Sequence, residues 1–183
     1  MNLLSSVRRL SKPILVIVMG VSGSGKTTLA KLLSERLSFR YVEADDFHSD
    51  QAKQKMAAGI PLTDQDRLPW ITCMCDFLNE QFQQQQSCVL SYSGLRAKHR
   101  EAFRALPFDT LFVFLHGKQE IILQRMQQRQ GHYMPATLLQ SQFDSLESPQ
   151  GEQNVVAIDL DASKDIILDN TEKQIAGWLL SLQ

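Results

Sequence analysis

The chain has 183 residues, of which 43% are hydrophobic, so it can bury one core but is short for two full domains. Its 19 basic and 20 acidic residues give a net charge of −1, which argues against nucleic acid or an anionic membrane as a partner. No apolar run approaches the roughly 20 residues that span a bilayer. Three cysteines without the spacing of a disulfide framework are typical of a reducing compartment, and we therefore expect a cytoplasmic protein whose charged partner is a small molecule.

Residues 1–13 are expected to be an extension that precedes the folded domain. Serines and two arginines, Arg8 and Arg9, occur there without an acidic residue, a pattern that faintly resembles an organellar targeting segment. The segment is short and runs directly into the first apolar stretch, so we favour an irregular N-terminus and leave the targeting alternative open. One domain is expected over residues 14–183.

A glycine-rich loop follows the first predicted strand, Ile14–Met19, and leads into a helical pattern. The loop fits G-x-x-x-x-G-K-[ST] and lies between a strand and a helix, as a phosphate-binding loop requires. A polyphosphate needs several backbone N–H donors that converge on it, and a glycine-permitted turn at a helix N-terminus supplies them. We therefore predict that ATP or GTP binds to Gly20, Ser22, Gly23, Ser24, Gly25, Lys26, Thr27 and Thr28.

Two side chains of this loop have predicted chemical roles. The Lys26 ammonium would reach the β- and γ-phosphates, and it is a catalytic candidate because it brings a mobile positive charge to the group that is transferred. The Thr27 hydroxyl would ligate Mg²⁺, which bridges the same two phosphates. ATP and Mg²⁺ are therefore the expected cofactors.

Helices and strands alternate along the rest of the sequence. Periodic apolar residues with breaks at Gly59 and Gly131 predict helices, and Thr63 is expected to be the N-cap of a long helix with Asp66 as its acidic partner. Short apolar runs predict further strands at Phe39–Glu43, Ser87–Tyr92, Leu111–Leu115 and Val155–Leu160. This alternation predicts an α/β fold, a parallel doubly wound sheet of five strands flanked by helices, with right-handed crossovers.

Several blocks of sequence resemble the gluconate kinases, a family of small-molecule kinases with a P-loop fold like that of the nucleoside monophosphate kinases. The phosphate loop is shared with many unrelated NTPases, whereas the block Lys55–Trp70 is far more specific. The remaining blocks are Ala44–His48, Gly131–Tyr133 and Ser141–Glu147. The resemblance extends from Ile14 to about Trp178, and it implies ATP-dependent phosphorylation of D-gluconate to 6-phospho-D-gluconate, with a lid at about residues 125–146.

The chain departs from the family pattern between the third predicted strand and the helix that follows. Arg96 stands where the family has lysine, which keeps the charge but changes the donor geometry, and His99 stands where it has tyrosine. These changes leave phosphate binding untouched. The specificity among aldonic acids is therefore open.

The resemblance and the chemistry of phosphoryl transfer suggest roles for residues outside the loop. Asp45 is implied as the catalytic base, because the matching position in related kinases holds the acceptor hydroxyl. Arg67 is expected to bind the substrate carboxylate with two parallel hydrogen bonds. The other expected substrate contacts are His48, Arg96, Arg100 and His132. Arg125 and Arg129 would cover the nucleotide from the lid, and Arg129 is a further catalytic candidate.

Structural roles are the alternatives for these side chains. Asp45 and Asp46 could form a solvated acidic turn, and Arg67 could pair with Asp64 or Asp66 at the start of its helix. Two other functions also stay open: another small-molecule or nucleoside kinase of the same fold, and a non-catalytic switch that changes state with its nucleotide. A homodimer is a further possibility.

Overall fold

The fold is a parallel sheet of five strands with helices on both faces, seen in a computed structural model that describes residues 11–127 and 136–182. The strands are β1 (Ile14–Met19), β2 (Arg40–Glu43), β3 (Cys88–Ser91), β4 (Asp109–His116) and β5 (Val155–Asp159). The helices are α1 (Lys26–Leu37), α2 (Asp50–Ala57), α3 (Asp64–Gln83), α4 (Ala97–Arg104), α5 (Gln119–Gln127), α6 (Ala136–Ser145) and α7 (Lys164–Ser181). Their order confirms the predicted α/β fold.

The strand order is β2-β3-β1-β4-β5, and every neighbouring pair is parallel. β1 is therefore the central strand, and all six of its side chains are buried. Parallel strands place their carboxyl ends at one edge of the sheet, where open α/β folds bind ligands. The phosphate loop leaves the end of β1, so it lies at the middle of this edge.

Side chains of β1 alternate between two hydrophobic clusters, one on each face of the sheet. Ile14, Val16 and Val18 contribute to the cluster that includes residues of α1 and α7. The alternate residues of β1 belong to the second cluster, which includes apolar residues of α3 and α4. The apolar side chains of α3 in this second cluster include Trp70, Met74, Phe77 and Leu78.

Helix boundaries follow the local chemistry of the sequence. Thr63 is the N-cap of α3: its hydroxyl accepts from the backbone N–H of Asp66, and the Asp66 carboxylate accepts from the backbone N–H of Thr63. This confirms the predicted capping box. α4 begins three residues after Gly94, whose φ of +62° lies in the left-handed region and cannot be part of a right-handed helix.

Some sequence predictions lie outside the described residues. The extension falls mostly within residues 1–10, and the predicted break between α5 and α6 falls within residues 128–135. Arg129 and His132 belong to this second segment. Within the described parts of the chain, no helix is long and apolar enough to cross a membrane.

Candidate active site

The phosphate loop wraps onto the N-terminus of α1. Gly25 is the N-cap residue and has φ +93°, a conformation that glycine adopts without strain. Gly25 has no side chain to cap the helix, so the first turn presents its backbone N–H groups and the positive end of the helix dipole to a ligand. This is the geometry of an anion-binding site for phosphate.

Gly23 is needed for space as well as for conformation. It has φ +81°, and a Cβ atom placed there would lie 2.3 Å from Cγ of Met126 and 3.2 Å from Cγ2 of Ile122. Both of these side chains belong to α5, so α5 packs directly against the loop. The loop therefore keeps its shape partly because the start of the predicted lid supports it.

Lys26 turns its side chain back toward its own loop. Its Nζ atom donates a hydrogen bond to the backbone carbonyl of Val21 at 3.0 Å. The carbonyl of Val21 also accepts from the backbone N–H of Ser24 at 3.3 Å. The ammonium is thus held within the loop, where phosphate oxygens would meet it.

The hydroxyl of Thr27 lies in a group of oxygen atoms at the ends of β2 and β3. It donates to Glu43 Oε2 at 3.0 Å and lies 3.5 Å from Ser91 Oγ. The Tyr41 hydroxyl donates to the same carboxylate oxygen, and burial together with this carboxylate raises the pKa of Tyr41 well above its ordinary value. Hydroxyl and carboxylate oxygens are the ligands that Mg²⁺ prefers, so Thr27 and Glu43 fit this ion.

Sequence reasoning missed the contributions of Tyr41 and Ser91. A signal for Tyr41 does exist, because residues two apart on a strand share a face and Tyr41 precedes Glu43 by two. Ser91 is the last residue of β3 and pairs in register with Glu43 of β2. That register is visible only once the strand order is known.

The acidic turn after β2 carries Asp45 at its surface. It is a 3₁₀ turn formed by Ala44–Phe47, and the Asp45 side chain is 83% exposed. Trp70 of α3 fixes the turn, because its indole Nε1 donates to the carbonyl of Ala44 at 2.6 Å in a buried hydrogen bond. The turn that carries Asp45 is thereby attached to the helix that carries Arg67.

His48 is buried beside this turn. Its side chain is 4% exposed, and its ring stacks on Trp70 with 4.0 Å between the centroids. Nε2 lies 3.8 Å from Asp45 Oδ1, and Nδ1 is buried without a hydrogen-bond partner among the described residues. Burial lowers the pKa of His48, although the charge of Asp45 acts in the opposite direction. Burial therefore favours the neutral ring, which can accept a hydrogen bond from a hydroxyl.

Arg67 faces the same region from the first turn of α3. Its Nη1 lies 3.6 Å from Asp64 Oδ1, and the same oxygen is 3.8 Å from Nε2 of His99. The Arg67 side chain is 17% exposed. The alternative of a helix-start ion pair with Asp64 is therefore present, but the pair is long and only one guanidinium nitrogen takes part in it.

Asp66 is not the partner of Arg67. Its carboxylate accepts from Lys55 Nζ at 2.7 Å and from the hydroxyl of Thr63. The hydrogen bond from Lys55 is the main reason that the pKa of Asp66 falls to about 2, and the bonds from Thr63 add to it. Asp66 thus links α2 to α3 through Lys55.

Arg96 and Arg100 occupy different environments. Arg96 is 38% exposed and pairs through Nη1 with Glu147 Oε1 at 3.2 Å. Arg100 is fully buried, and its guanidinium donates to the carboxylate of Glu152 and to the carbonyls of Gly94 and Glu147. Arg100 therefore differs from the prediction of a substrate contact: it lies in the interior, where its donors are used within the protein.

Arg125 does not point into the phosphate loop. Its Nη2 donates to the carbonyl of Leu160 at 2.7 Å and to that of Ala162 at 3.3 Å, in the connection between β5 and α7. A cavity of about 310 Å³ opens beside this connection, lined by His116, Gly117, Lys118, Ile121, Asp159 and Asp161. The guanidinium therefore lies near the ends of β4 and β5.

The loop also receives a contact that sequence reasoning did not predict. The backbone N–H of Ser22 donates to Gln142 Oε1 at 2.7 Å, and Gln142 Nε2 donates to Ser22 Oγ at 3.2 Å. Gln142 lies on α6, within a block that carries the family resemblance, but the block alone does not say what the side chain does. Ser22 thus directs its N–H to α6.

A central phosphate loop, a parallel sheet in this order and an acidic turn beside the loop define a P-loop kinase. The sequence matches the family model described as "AAA domain" over residues 15–149. It is 39% identical over 158 residues to the gluconokinase of Gluconobacter oxydans (strain 621H). This alignment covers 86% of this chain and 89% of that protein.

Two further comparisons agree. The chain is 41% identical over 145 residues to the thermosensitive gluconokinase of Escherichia coli (strain K12), covering 79% of this chain and 78% of that protein. The crystal structure of a gluconokinase from Sinorhizobium meliloti 1021 aligns with a TM-score of 0.84 at 36% identity, covering 93% of this chain and 95% of the other. The chain belongs to the gluconokinase family, which confirms the resemblance.

Proposed function

We propose that this protein transfers the γ-phosphoryl group of ATP to the 6-hydroxyl of D-gluconate, giving 6-phospho-D-gluconate and ADP. One observation carries the proposal: Trp70 joins the Asp45 turn to the Arg67 helix at the edge of the sheet from which the phosphate loop emerges. A phosphoryl donor and an acceptor would therefore meet there. The names of the relatives support gluconate as the acceptor.

On the donor side, the loop binds the phosphates and Lys26 compensates their charge. The backbone N–H groups at the start of α1 would hold the β-phosphate, and the Lys26 ammonium, which donates to the carbonyl of Val21, would also donate to the γ-phosphate. Mg²⁺, when bound by Thr27 and Glu43, would supply further neutralisation of phosphate charge. We propose that Arg125 lies near the adenine, together with Arg129 of the predicted lid.

On the acceptor side, gluconate presents a carboxylate at one end and the reacting hydroxyl at the other. Arg67 is our candidate for the carboxylate, because its guanidinium makes a long contact with Asp64 at 3.6 Å and can form two parallel hydrogen bonds to a carboxylate. The neutral ring of His48 would accept from a sugar hydroxyl. Arg96, and His132 from the predicted lid, are the remaining candidates for substrate contacts.

The transfer itself needs few groups. The oxygen of the 6-hydroxyl forms a bond to the γ-phosphorus, the bond from that phosphorus to the bridging oxygen breaks, and ADP leaves with the electron pair. The proton of the hydroxyl goes to the carboxylate of Asp45, which is exposed and so able to reach a bound acceptor. The cytoplasmic location and the homodimer stay predictions.

The first test is a panel of acceptors. ADP formation would be measured with gluconate, other aldonic acids, neutral sugars, shikimate and nucleosides, and the gluconate product would be identified as the 6-phosphate. We expect gluconate to give the highest kcat/KM. A higher value with a nucleoside or shikimate would assign the chain to a different acceptor, and no turnover with any acceptor would favour a nucleotide-dependent switch.

The second test compares neighbouring carboxylates. Asp45→Asn should reduce kcat by about 10²–10⁴, the range for loss of a general base, with little change in the affinity for ATP. Asp46→Asn makes the same change of charge one residue away and serves as the matched control. Normal turnover by Asp45→Asn together with an inactive Asp46→Asn would make Asp46 the base; two active variants would refute the base assignment.

A further inference from the structure

Gln142 contacts the phosphate loop with both ends of its amide. Its oxygen accepts from the backbone N–H of Ser22 at 2.7 Å, and its nitrogen donates to the hydroxyl of the same residue at 3.2 Å. The two residues are 120 positions apart in the sequence. A side chain that satisfies both of its polar atoms on a single loop residue fixes the position of that residue.

The helix that carries Gln142 is itself firmly held. Leu139, one turn earlier on α6, is fully buried in the core cluster, and Phe143 packs against the same cluster. Two residues after the end of α6, the backbone N–H of Glu147 donates to the carbonyl of Leu95 at 2.8 Å, and the Glu147 carboxylate accepts from the backbone N–H of Ala97 at 2.6 Å. Gln142 therefore reaches the loop from a fixed support.

The N–H of Ser22 and the carbonyl of Val21 belong to one peptide group. In a planar trans peptide these two groups point in opposite directions, so an anchor on the N–H also sets the direction of the carbonyl. The Val21 carbonyl is the group that accepts from Lys26 Nζ at 3.0 Å. The contacts thus run from Gln142 through the Val21–Ser22 peptide to the ammonium.

This anchor matters because glycines lie on both sides of the anchored peptide. Gly20 and Gly23 flank the Val21–Ser22 pair, and glycine restricts rotation of adjacent peptide planes least of all residues. Rotation of the Val21–Ser22 plane would turn its carbonyl away from Lys26 and direct it elsewhere. A carbonyl that turned toward the backbone N–H groups at the start of α1 would repel the oxygens of a bound phosphate.

We propose that Gln142 is a positioning residue for ATP binding: it holds the Val21–Ser22 peptide plane so that its carbonyl faces the Lys26 ammonium and the loop accepts phosphate. Gln142 acts through the loop and does not itself touch the reacting atoms. The inference rests on the proposed function only for ATP as the donor, and it is independent of the acceptor.

The test is the substitution Gln142→Met, which keeps the length of the side chain and removes both polar atoms. The dissociation constant of ATP with Mg²⁺, measured by calorimetry without any acceptor, should rise about tenfold, since each lost hydrogen bond contributes a factor of about 2 to 10. KM for the acceptor should change little. Because no acceptor is present in the binding experiment, its result does not depend on whether gluconate is the substrate.

A second readout observes the peptide group directly. In the nucleotide-free protein, hydrogen exchange of the Ser22 amide, followed by NMR, should be faster in Gln142→Met than in the wild type. Gln142→Glu keeps the shape and an acceptor for this N–H, so it should fold and retain slow exchange. This isosteric variant keeps the proposal testable even if the methionine variant does not fold.

Gln140→Met is the matched control on the same helix. Gln140 is exposed and its amide contacts only the side chains of Gln119 and Asp144 among the described residues, so ATP affinity should not change. The proposal is overturned if Gln142→Met binds ATP within twofold of the wild type, or more tightly, or if Gln140→Met weakens binding equally. It is also overturned if Gln142→Glu loses the slow exchange of Ser22.

Discussion

Removal of the Glu152 carboxylate should destabilise the protein far more than removal of an ordinary surface glutamate. Glu152 accepts two hydrogen bonds from Arg100, one from Nε at 3.0 Å and one from Nη2. It also accepts from Arg104 Nη2 at 2.5 Å. Arg100 has no exposed surface, so Glu152→Ala leaves a buried positive charge without its counter-ion.

The size of the effect follows from what remains around that charge. Loss of one partner from a buried ion pair costs about 3–5 kcal/mol. The carbonyls of Gly94 and Glu147 would still accept from Arg100, and the Glu152 side chain is 23% exposed, so water can partly replace it. We therefore expect a loss near the lower limit, about 3 kcal/mol, which corresponds to a fall of about 6–12 °C in Tm for a chain of this size.

Urea unfolding and thermal melting of Glu152→Ala and Glu101→Ala would measure the difference. Glu101 is the matched control, because it also pairs with Arg104, at 2.6 Å, but is 67% exposed. Its removal should cost about 0–1 kcal/mol. If the two variants lose the same stability within error, the Arg100 pair is not an internal support, and the reason for removing Arg100 from the substrate site fails.

Three further predictions concern the site. Lys26→Ala should abolish turnover and keep a cooperative thermal transition, measured by circular dichroism, because the ammonium serves phosphate and not the core. Arg67→Lys should raise KM for gluconate by about 10- to 100-fold and leave KM for ATP nearly constant in steady-state assays. The reason is that a compact ammonium replaces a planar guanidinium that can form two parallel hydrogen bonds. Burial lowers the pKa of His48 and of His99, so the unfolded chain binds more protons than the folded protein does. The free energy of unfolding should therefore fall as the pH drops below about 6.5. His48→Asn should reduce this pH dependence in urea titrations.

The contrary results are equally specific. Loss of the folded state in Lys26→Ala would give the lysine a structural role. Equal changes of both KM values in Arg67→Lys would move Arg67 to the phosphates or to the scaffold. An unfolding free energy that is constant between pH 7 and pH 5 would mean that the two histidines are not buried as neutral rings.

The fold could be predicted because its signals are local in the sequence. Each strand is a short apolar run, and the phosphate loop has a spacing that few other structures require. The N-cap of α3 could also be predicted from the sequence, because Thr63 and Asp66 are three residues apart. Within one turn, the side chain of each accepts a hydrogen bond from the backbone N–H of the other. Strand boundaries shifted by about one or two residues, as in β3, which was predicted over Ser87–Tyr92 and spans Cys88–Ser91.

The site could be predicted only where a residue's partner is close in sequence or is the ligand itself. Lys26 follows from the loop motif, whereas the contacts of Arg100 with Glu152 span 52 positions and those of Gln142 with Ser22 span 120. A pattern of charges cannot distinguish a guanidinium that faces substrate from one that is buried against a distant carboxylate. In the sequence, the two kinds of guanidinium have the same charge and polarity. Only the packing of α4 against the loop before β5 distinguishes the buried one.

The stack of His48 on Trp70 makes the proposed acceptor site of this protein optically observable. Indole fluorescence depends on the groups in contact with the ring, and the imidazole is 4.0 Å away, centroid to centroid. Trp178, the second of two tryptophans in the sequence, packs in the cluster on the opposite face of the sheet and can be replaced without touching this stack. A Trp178→Phe protein would therefore carry a single built-in fluorophore at the place where an acceptor hydroxyl would meet His48, and its emission could be followed in stopped flow with no added label.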